Sequence, residues 1–339
     1  MNTLQHFSHL LVALLVGCGS SDFRVAGNDG RDPNSSVVKT CELLRERIDL
    51  ESTELILKEY SRLAVPGGAV PLAIAALDEQ DVWALDQKTR RLFHATGVKR
   101  ERSPVAPGDS GISMVMAGDG RMLAARGSSL FRLTAGSSSL SPLLELDSAG
   151  GLITGAAEDL SRLWVAVQQD SGTTLTAFAR SNAMDTTDAI HKMTLTGAYR
   201  LHPFEQNQIL ATQTTAPFEL LVITSSGTIA YRKSALSDSR FRLTQLGTRR
   251  GIVSLSAIPL SCSFVLQLLV DLRGDTRWFV IHDVARSRIS RVRRVSASVG
   301  FTQALPRDRL LGFDDGAGRG EIVIYEWYWS FTEQKQSER

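Results

Sequence analysis

The sequence predicts an all-β protein, a β-propeller of six blades, following an export signal and a flexible tether. Three observations predict it. A short apolar strand followed by a polar turn and a second strand recurs along the chain. Its anchors are Val82, Met122, Leu163, Ile209, Phe264 and Leu310, spaced 40 to 55 residues apart. Blades of four short strands repeat at about this interval, roughly 40–50 residues. Gly, Ser and Asp cluster between the strands, as tight hairpin turns require. The composition, 43% hydrophobic and 22% charged over 339 residues, suits one large β domain with a real core.

Taken in chain order, the first element is an apolar run over residues 10–18, LLVALLVGC. A membrane-spanning helix needs roughly 20 apolar residues, so this run is too short to cross as one. It has the length of the hydrophobic region of a secretory signal. Its end, Leu15, Val16, Gly17 and Cys18, followed by Gly19, Ser20 and Ser21, resembles the lipobox of bacterial lipoproteins. The preceding residues 1–9 carry His6 and His9 but no Lys or Arg, a departure from the basic start of such signals. The resemblance implies cleavage after Gly17, lipidation of Cys18 with palmitate among its acyl chains, and a membrane anchor. Inner-membrane retention in that family goes with Asp after the lipidated cysteine. Gly19 stands there, so the resemblance implies the outer membrane, facing periplasm or surface.

The expected division is a signal peptide over 1–17, a lipid-anchored tether over 18–40, an N-terminal segment over 41–65, the propeller over 66–331 and a tail over 332–339. Residues 20–36 are rich in Gly, Asn, Asp and Ser, too polar to order themselves by burying surface. Residues 40–64 read two ways. Leu43, Leu44 and Ile48 have helical spacing, while 53–60 reads as a strand. A strand over 53–62 supplies the outer strand of the last blade, because the final clear strand, 321–331, lies close to the C-terminus and a ring must close to protect its edges. Pro66, Gly67 and Gly68 then break the chain. A β-sandwich pair or an irregular solenoid is the rival architecture, but neither needs so regular a spacing.

Three cysteines are present. With Cys18 lipidated, Cys41 and Cys262 remain. They are candidates for a disulfide in an oxidising compartment, or for two separate buried thiols. Cα separation decides between these, and the sequence does not give it.

No catalytic, cofactor or metal residues are expected. Gly108, Asp109, Ser110 and Gly111 match the start of the chymotrypsin-like nucleophile motif, but Ile112 replaces the next glycine and the tetrapeptide reads as a turn. Asp314 and Asp315 before Gly316 do not follow an EF-hand pattern and read as a hairpin loop. His94, His191, His202 and His282 fall in separate repeats without metal-ligand spacing. Trp83 and Trp164 occupy equivalent repeat positions, which favours packing between blades.

The densest basic run holds Arg286, Arg288, Arg291 and Arg293, with Arg294 beside them. It reads as a solvated outer strand whose charges blunt edge pairing, or as a docking face for phosphate groups of lipopolysaccharide or for an acidic partner. The formal net charge of +2 and the export signal argue against nucleic acid. The function expected from all this is a lipid-anchored binding or scaffold protein of the cell envelope, without catalysis, presenting propeller faces to a protein or glycan. The alternative is an envelope enzyme acting on glycans or peptides from a central pocket.

Overall fold

The computed structural model describes residues 37–331 apart from 50–52, 64–70, 77–78, 96–110, 119–120, 135–138, 147–150, 159–160, 171, 180–188, 206, 238–250, 273–275, 297–298, 306 and 315–320. The signal segment, Cys18, the tether up to residue 36 and the tail 332–339 lie outside the described residues.

A helix, α1 (Val37–Asp49), and a long strand, β1 (Thr53–Leu63), come first. Six antiparallel sheets then stand around one axis. Blade 1 has three described strands, β2 (Pro71–Ala76), β3 (Val82–Asp86) and β4 (Leu92–Ala95). Blade 2 is β5 (Met114–Gly118), β6 (Arg121–Arg126), β7 (Ser129–Thr134) and β8 (Ser141–Glu145). Blade 3 is β9 (Leu152–Glu158), β10 (Arg162–Gln169), β11 (Gly172–Ala179) and β12 (Ala189–Leu195). Blade 4 is β13 (Tyr199–Pro203), β14 (Gln208–Gln213), β15 (Glu219–Thr224) and β16 (Ile229–Ser234). Blade 5 is β17 (Ile252–Pro259), β18 (Phe264–Asp271), β19 (Thr276–Asp283) and β20 (Arg288–Ser296). Blade 6 is β21 (Val299–Leu305), β22 (Arg309–Asp314) and β23 (Glu321–Phe331), with β1 on its outer edge.

The innermost strands β2, β5, β9, β13, β17 and β21 neighbour one another in turn, and β21 returns to β2. Close approach needs a small residue at one of these joins. A Cβ on Gly155 would lie 2.7 Å from the backbone nitrogen of Leu201 on the next blade.

The six anchors all lie at the start of a second strand and all are buried. The reason is the two-residue period of a strand, which sends alternate side chains to opposite faces. Each blade is covered on both faces, so both sets must be apolar. Ile74 and Ala76 pack against Leu305, Leu311 and Ile322 of blade 6, whereas Ala75 packs toward Met122 and Ala124 of blade 2. Trp83 fills the layer between blades 1 and 2, and Trp164 the layer between blades 3 and 4.

The ring closes by pairing its first strand with its last. β1 runs antiparallel to β23 from Thr53 opposite Phe331 to Leu63 opposite Ile322. Both strands are 11 residues long and run past the end of β22, whose pairing with β23 stops at Glu326. The overhanging ribbon carries Trp327 and Trp329, which pack with Leu44 and Ile48 of α1 and with Phe264. Helix α1 therefore begins at Val37, four residues inside the stretch assigned to the tether. Leu44 and Ile48, one turn apart, bury against that wall, while Leu43 between the stripes stays 48% exposed.

Outer strands are edges, and these are blunted. The register skips one residue in each of the five described outer strands: Leu143 in β8, Ile190 in β12, Ala230 in β16, Ser290 in β20 and Tyr60 in β1. Such bulges bend the strand and spoil it as a template for another chain.

Candidate functional site

The arginines singled out in the sequence gather at the outer edge of blade 5. Arg286 lies in the turn before β20, not in the strand. Its backbone N–H donates to Asp283 Oδ1 at 3.2 Å. The Arg288 guanidinium stands 3.9 Å from Asp283 Oδ2, and Asp283 is fully buried. Arg293 pairs with Glu54 of β1. The bulge at Ser290 sets Arg288, Arg291 and Arg293 opposite Asp283, Ile281 and Phe279, alternate residues of β19, and so brings the three arginines onto one face of the sheet. Arg286 and Arg293 are exposed, Arg288 and Arg291 half-buried. Part of the run thus joins blade 5 to blade 6 as well as facing solvent.

Beside it, α1 is fixed to the ring. Cys41 and Cys262 are disulfide-bonded, with Cα atoms 5.5 Å apart and 221 residues between them in sequence. Arg45 of the same helix donates from Nη2 to the Cys262 carbonyl at 2.8 Å and from Nε to Asp283 Oδ1 at 3.3 Å. The guanidinium lies 5.6 Å from the centre of the Phe264 ring. Cross-link, cation–π contact and salt bridge therefore tie the helix to the turn between β17 and β18, the start of β18 and the adjacent end of β19.

The layer between blades 4 and 5 is different in kind. Tyr231 Oη lies 2.8 Å from His282 Nδ1, and His282 Nε2 lies 2.9 Å from Gln267 Oε1. Gln267 Nε2 donates onward to Ser254 Oγ at 3.0 Å and to the Phe218 carbonyl at 3.3 Å. An amide oxygen only accepts, so His282 donates through Nε2 and its Nδ1 accepts from Tyr231. Burial, and then the negative charge of Asp283, hold the Tyr231 phenol above its ordinary range. This chain of partners splits the apolar layer into two separate clusters.

Toward the axis, the same seam holds Arg200 and His202, two residues apart on β13 and so on one side of it. Arg200 Nη1 donates to the Leu255 carbonyl on the inner strand of blade 5 at 2.8 Å. Residue 200 is open to solvent, yet burial lowers its guanidinium below the ordinary value. Burial, and then the charge of Arg200, push His202 down to about 3, so its imidazole is neutral. His202 Nε2 and Thr212 Oγ1 are sealed from solvent without a hydrogen-bond partner among the described residues. Thr212 is opposite Arg200 in the β13–β14 register.

The other candidates separate. His94 on β4 lies 2.7 Å from Asp81, which also accepts from Trp83 Nε1 at 2.8 Å, a local clamp on blade 1. His191 is on the outer strand of blade 3 and His282 on the third strand of blade 5, so the four histidines do not meet at the axis. Among the described residues, no group of three or more His, Cys, Asp or Glu side chains is placed to hold a metal ion. Residues 108–110 and 315–318 lie outside the described residues, as does Cys18.

No family model matches this chain, and no curated protein does. Solved structures match at low identity. A structural genomics protein of unknown function from Bacteroides thetaiotaomicron has a TM-score of 0.56 at 11% identity, covering 81% of this chain and 76% of that one. The WD40 domain of coronin from Toxoplasma gondii scores 0.51 at 8% identity, over 84% and 88% of the two chains. Hydrazine synthase from Kuenenia stuttgartiensis scores 0.50 at 9% identity, over 75% and 78%. The likeness is one of fold.

The sequence did not single out Arg200, Thr212, Tyr231 or Gln267. Their only signal is polarity at positions where a covered strand should be apolar, and that becomes visible once the blades are aligned on their anchors.

Proposed function

We propose that this protein is a lipid-anchored binding or scaffold domain of the cell envelope, held through Cys18 and presenting its propeller faces to an envelope partner. The observation that carries the reading is the bond between Cys41 and Cys262. Disulfides persist in oxidising compartments, so the cross-link supports export independently of residues 10–18. The bond also holds α1 on the face of the ring that carries the turn between β17 and β18. A tether entering α1 would leave the opposite face free for a partner. Rigid scaffolds carrying loops suit recognition.

Cys18→Ala tests the anchor. The expected outcome is release from the membrane fraction or an uncleaved precursor, and intact mass of the native protein should show a lipidated N-terminus at Cys18. A mature chain starting elsewhere without lipid overturns this part. Docking at the basic edge is tested by replacing Arg286, Arg291 and Arg293 with Ser together, since single surface charge pairs contribute only about 0–1 kcal/mol each. Arg288 is spared because it faces the buried Asp283. Recovery of envelope partners by the tethered protein should fall while its melting temperature holds. Unchanged recovery removes the basic edge from the proposal.

A further inference from the structure

We propose that the bond between Cys41 and Cys262 is a reversible latch, opened by a dithiol reductant, and that its reduction frees α1 and uncovers the aromatic wall beneath it. The inference needs the cross-link and not the anchor at Cys18. Three observations carry it.

The first is access. Both cysteines are half-buried, so the bond is not sealed in the core. The second is the backbone on which it stands. Cys262 has a φ of 62° and Ser263 a φ of 57°, two consecutive residues with side chains in the left-handed region. Residues with a Cβ seldom adopt that conformation, and those held in it mark strained, functional places in a fold. Disulfides that are accessible and set in strained surroundings are the labile, regulatory ones.

The third is what the bond holds. A helix of 13 residues is marginal on its own in water. Among the described side chains of α1, only Leu44 and Ile48 are buried. Arg45 adds its pair with Asp283 and its bond to the Cys262 carbonyl. The cross-link fastens this thinly held helix to a turn 221 residues away in sequence. Beneath it lie Phe264, Trp327 and Trp329, all buried. With the bond open, α1 is held by two apolar side chains and one guanidinium. Departure of the helix exposes an apolar wall that the closed form hides.

The exchange balances with a dithiol alone. A thiolate of the reductant attacks one sulfur of the bond, and the electron pair of the broken S–S bond goes to the other sulfur, which leaves as thiolate. The second thiol of the reductant, deprotonated, then attacks its own sulfur in the mixed disulfide and expels the remaining cysteine. Two cysteine thiols and one oxidised reductant result.

The test uses the whole chain and dithiothreitol as the probe, with alkylation and mass measurement to follow the bond. Without denaturant, reduction should run within about tenfold of its rate in the urea-unfolded chain, as for an accessible bond. A sealed bond reacts only in the unfolded fraction, about one molecule in a thousand or fewer, and so at least about a thousandfold more slowly. Hydrogen exchange then reads the latch. Amides of α1 should exchange at least about tenfold faster in the reduced protein, while those of β17, β18 and β19 keep their protection. Tryptophan emission should shift to longer wavelength as Trp327 and Trp329 meet water. Cys41→Ser with Cys262→Ser should show the fast α1 exchange without reductant and no further change on adding it. Reduction that proceeds only through unfolding, α1 that keeps its protection once the bond is open, or protection lost across the whole ring together with α1 overturns the proposal. The comparison of oxidised and reduced protein needs no variant, so a poorly folding substitution does not blunt it.

Discussion

The two faces of blade 5 are joined to the ring by opposite means. On the blade 6 side lies one continuous apolar layer of 15 buried residues, including Phe264, Trp327 and Trp329, sealed by α1 and bolted by the disulfide. On the blade 4 side the apolar residues fall into clusters of seven and six, and the chain Tyr231, His282, Gln267 and Ser254 runs beside them. Apolar layers hold by buried area and close packing, without directed bonds. Hydrogen-bonded layers hold by geometry and demand one register. The seam that includes the chain's joined ends is therefore built for strength, and the seam that needs no such join carries the polar groups.

The sharpest way to break this contrast is to remove the closing elements. A chain lacking residues 37–63 should lose cooperative thermal unfolding, while one lacking 19–36 should melt as the intact protein does. Calorimetry reads both, and equal melting of the two deletions would remove β1 from the account. Next in size, Trp329→Ala should cost about 3–5 kcal/mol in denaturant titration, because a fully buried indole leaves a cavity in a layer that cannot collapse. Cys41→Ser with Cys262→Ser should cost about 2–4 kcal/mol, and the loss should match that of the unsubstituted protein under reduction.

The effect of the polar seam is absent at neutral pH and shows only in acid. His202 is depressed to about 3 from an ordinary 6.5. Between these values the unfolded chain takes up a proton that the folded chain refuses. Its contribution is complete above pH 6.5 and is lost as pH falls toward 3, at up to about 1.4 kcal/mol per pH unit. His202→Phe should flatten that part of the stability–pH curve, read by urea titration at a series of pH values. Trp329→Ala should shift the whole curve without changing its slope there.

Much of the strong seam was legible in the sequence. The six anchors are covered strands whose apolar runs show without any partner, and a strand near 53–62 followed from the need to close an edge. The start of α1 was not legible. Its helical stripe is only Leu44 and Ile48, and what orders Val37–Asp49 is the wall of Trp327, Trp329 and Phe264, contributed by distant segments. The basic run was legible as an edge strand, but the bulge at Ser290 and the pairing of Arg293 with Glu54 depend on register and on a neighbour far along the chain. Arg200 and His202 gave no motif because their meaning comes from Leu255 and Thr212, and only the assembled seam brings these together.

The pairing of β1 with β23 also orders events in time. β1 precedes every other described strand of the ring and its partner follows them all, with Thr53 opposite Phe331. Contacts this distant in sequence form slowly, because a long chain segment must be brought together before they contribute. An 11-residue strand with Leu55, Ile56 and Leu57 along it must therefore wait for its partner until the rest of the ring has been synthesised. Throughout that interval it is an open edge with three adjacent apolar residues, a template on which another chain can pair.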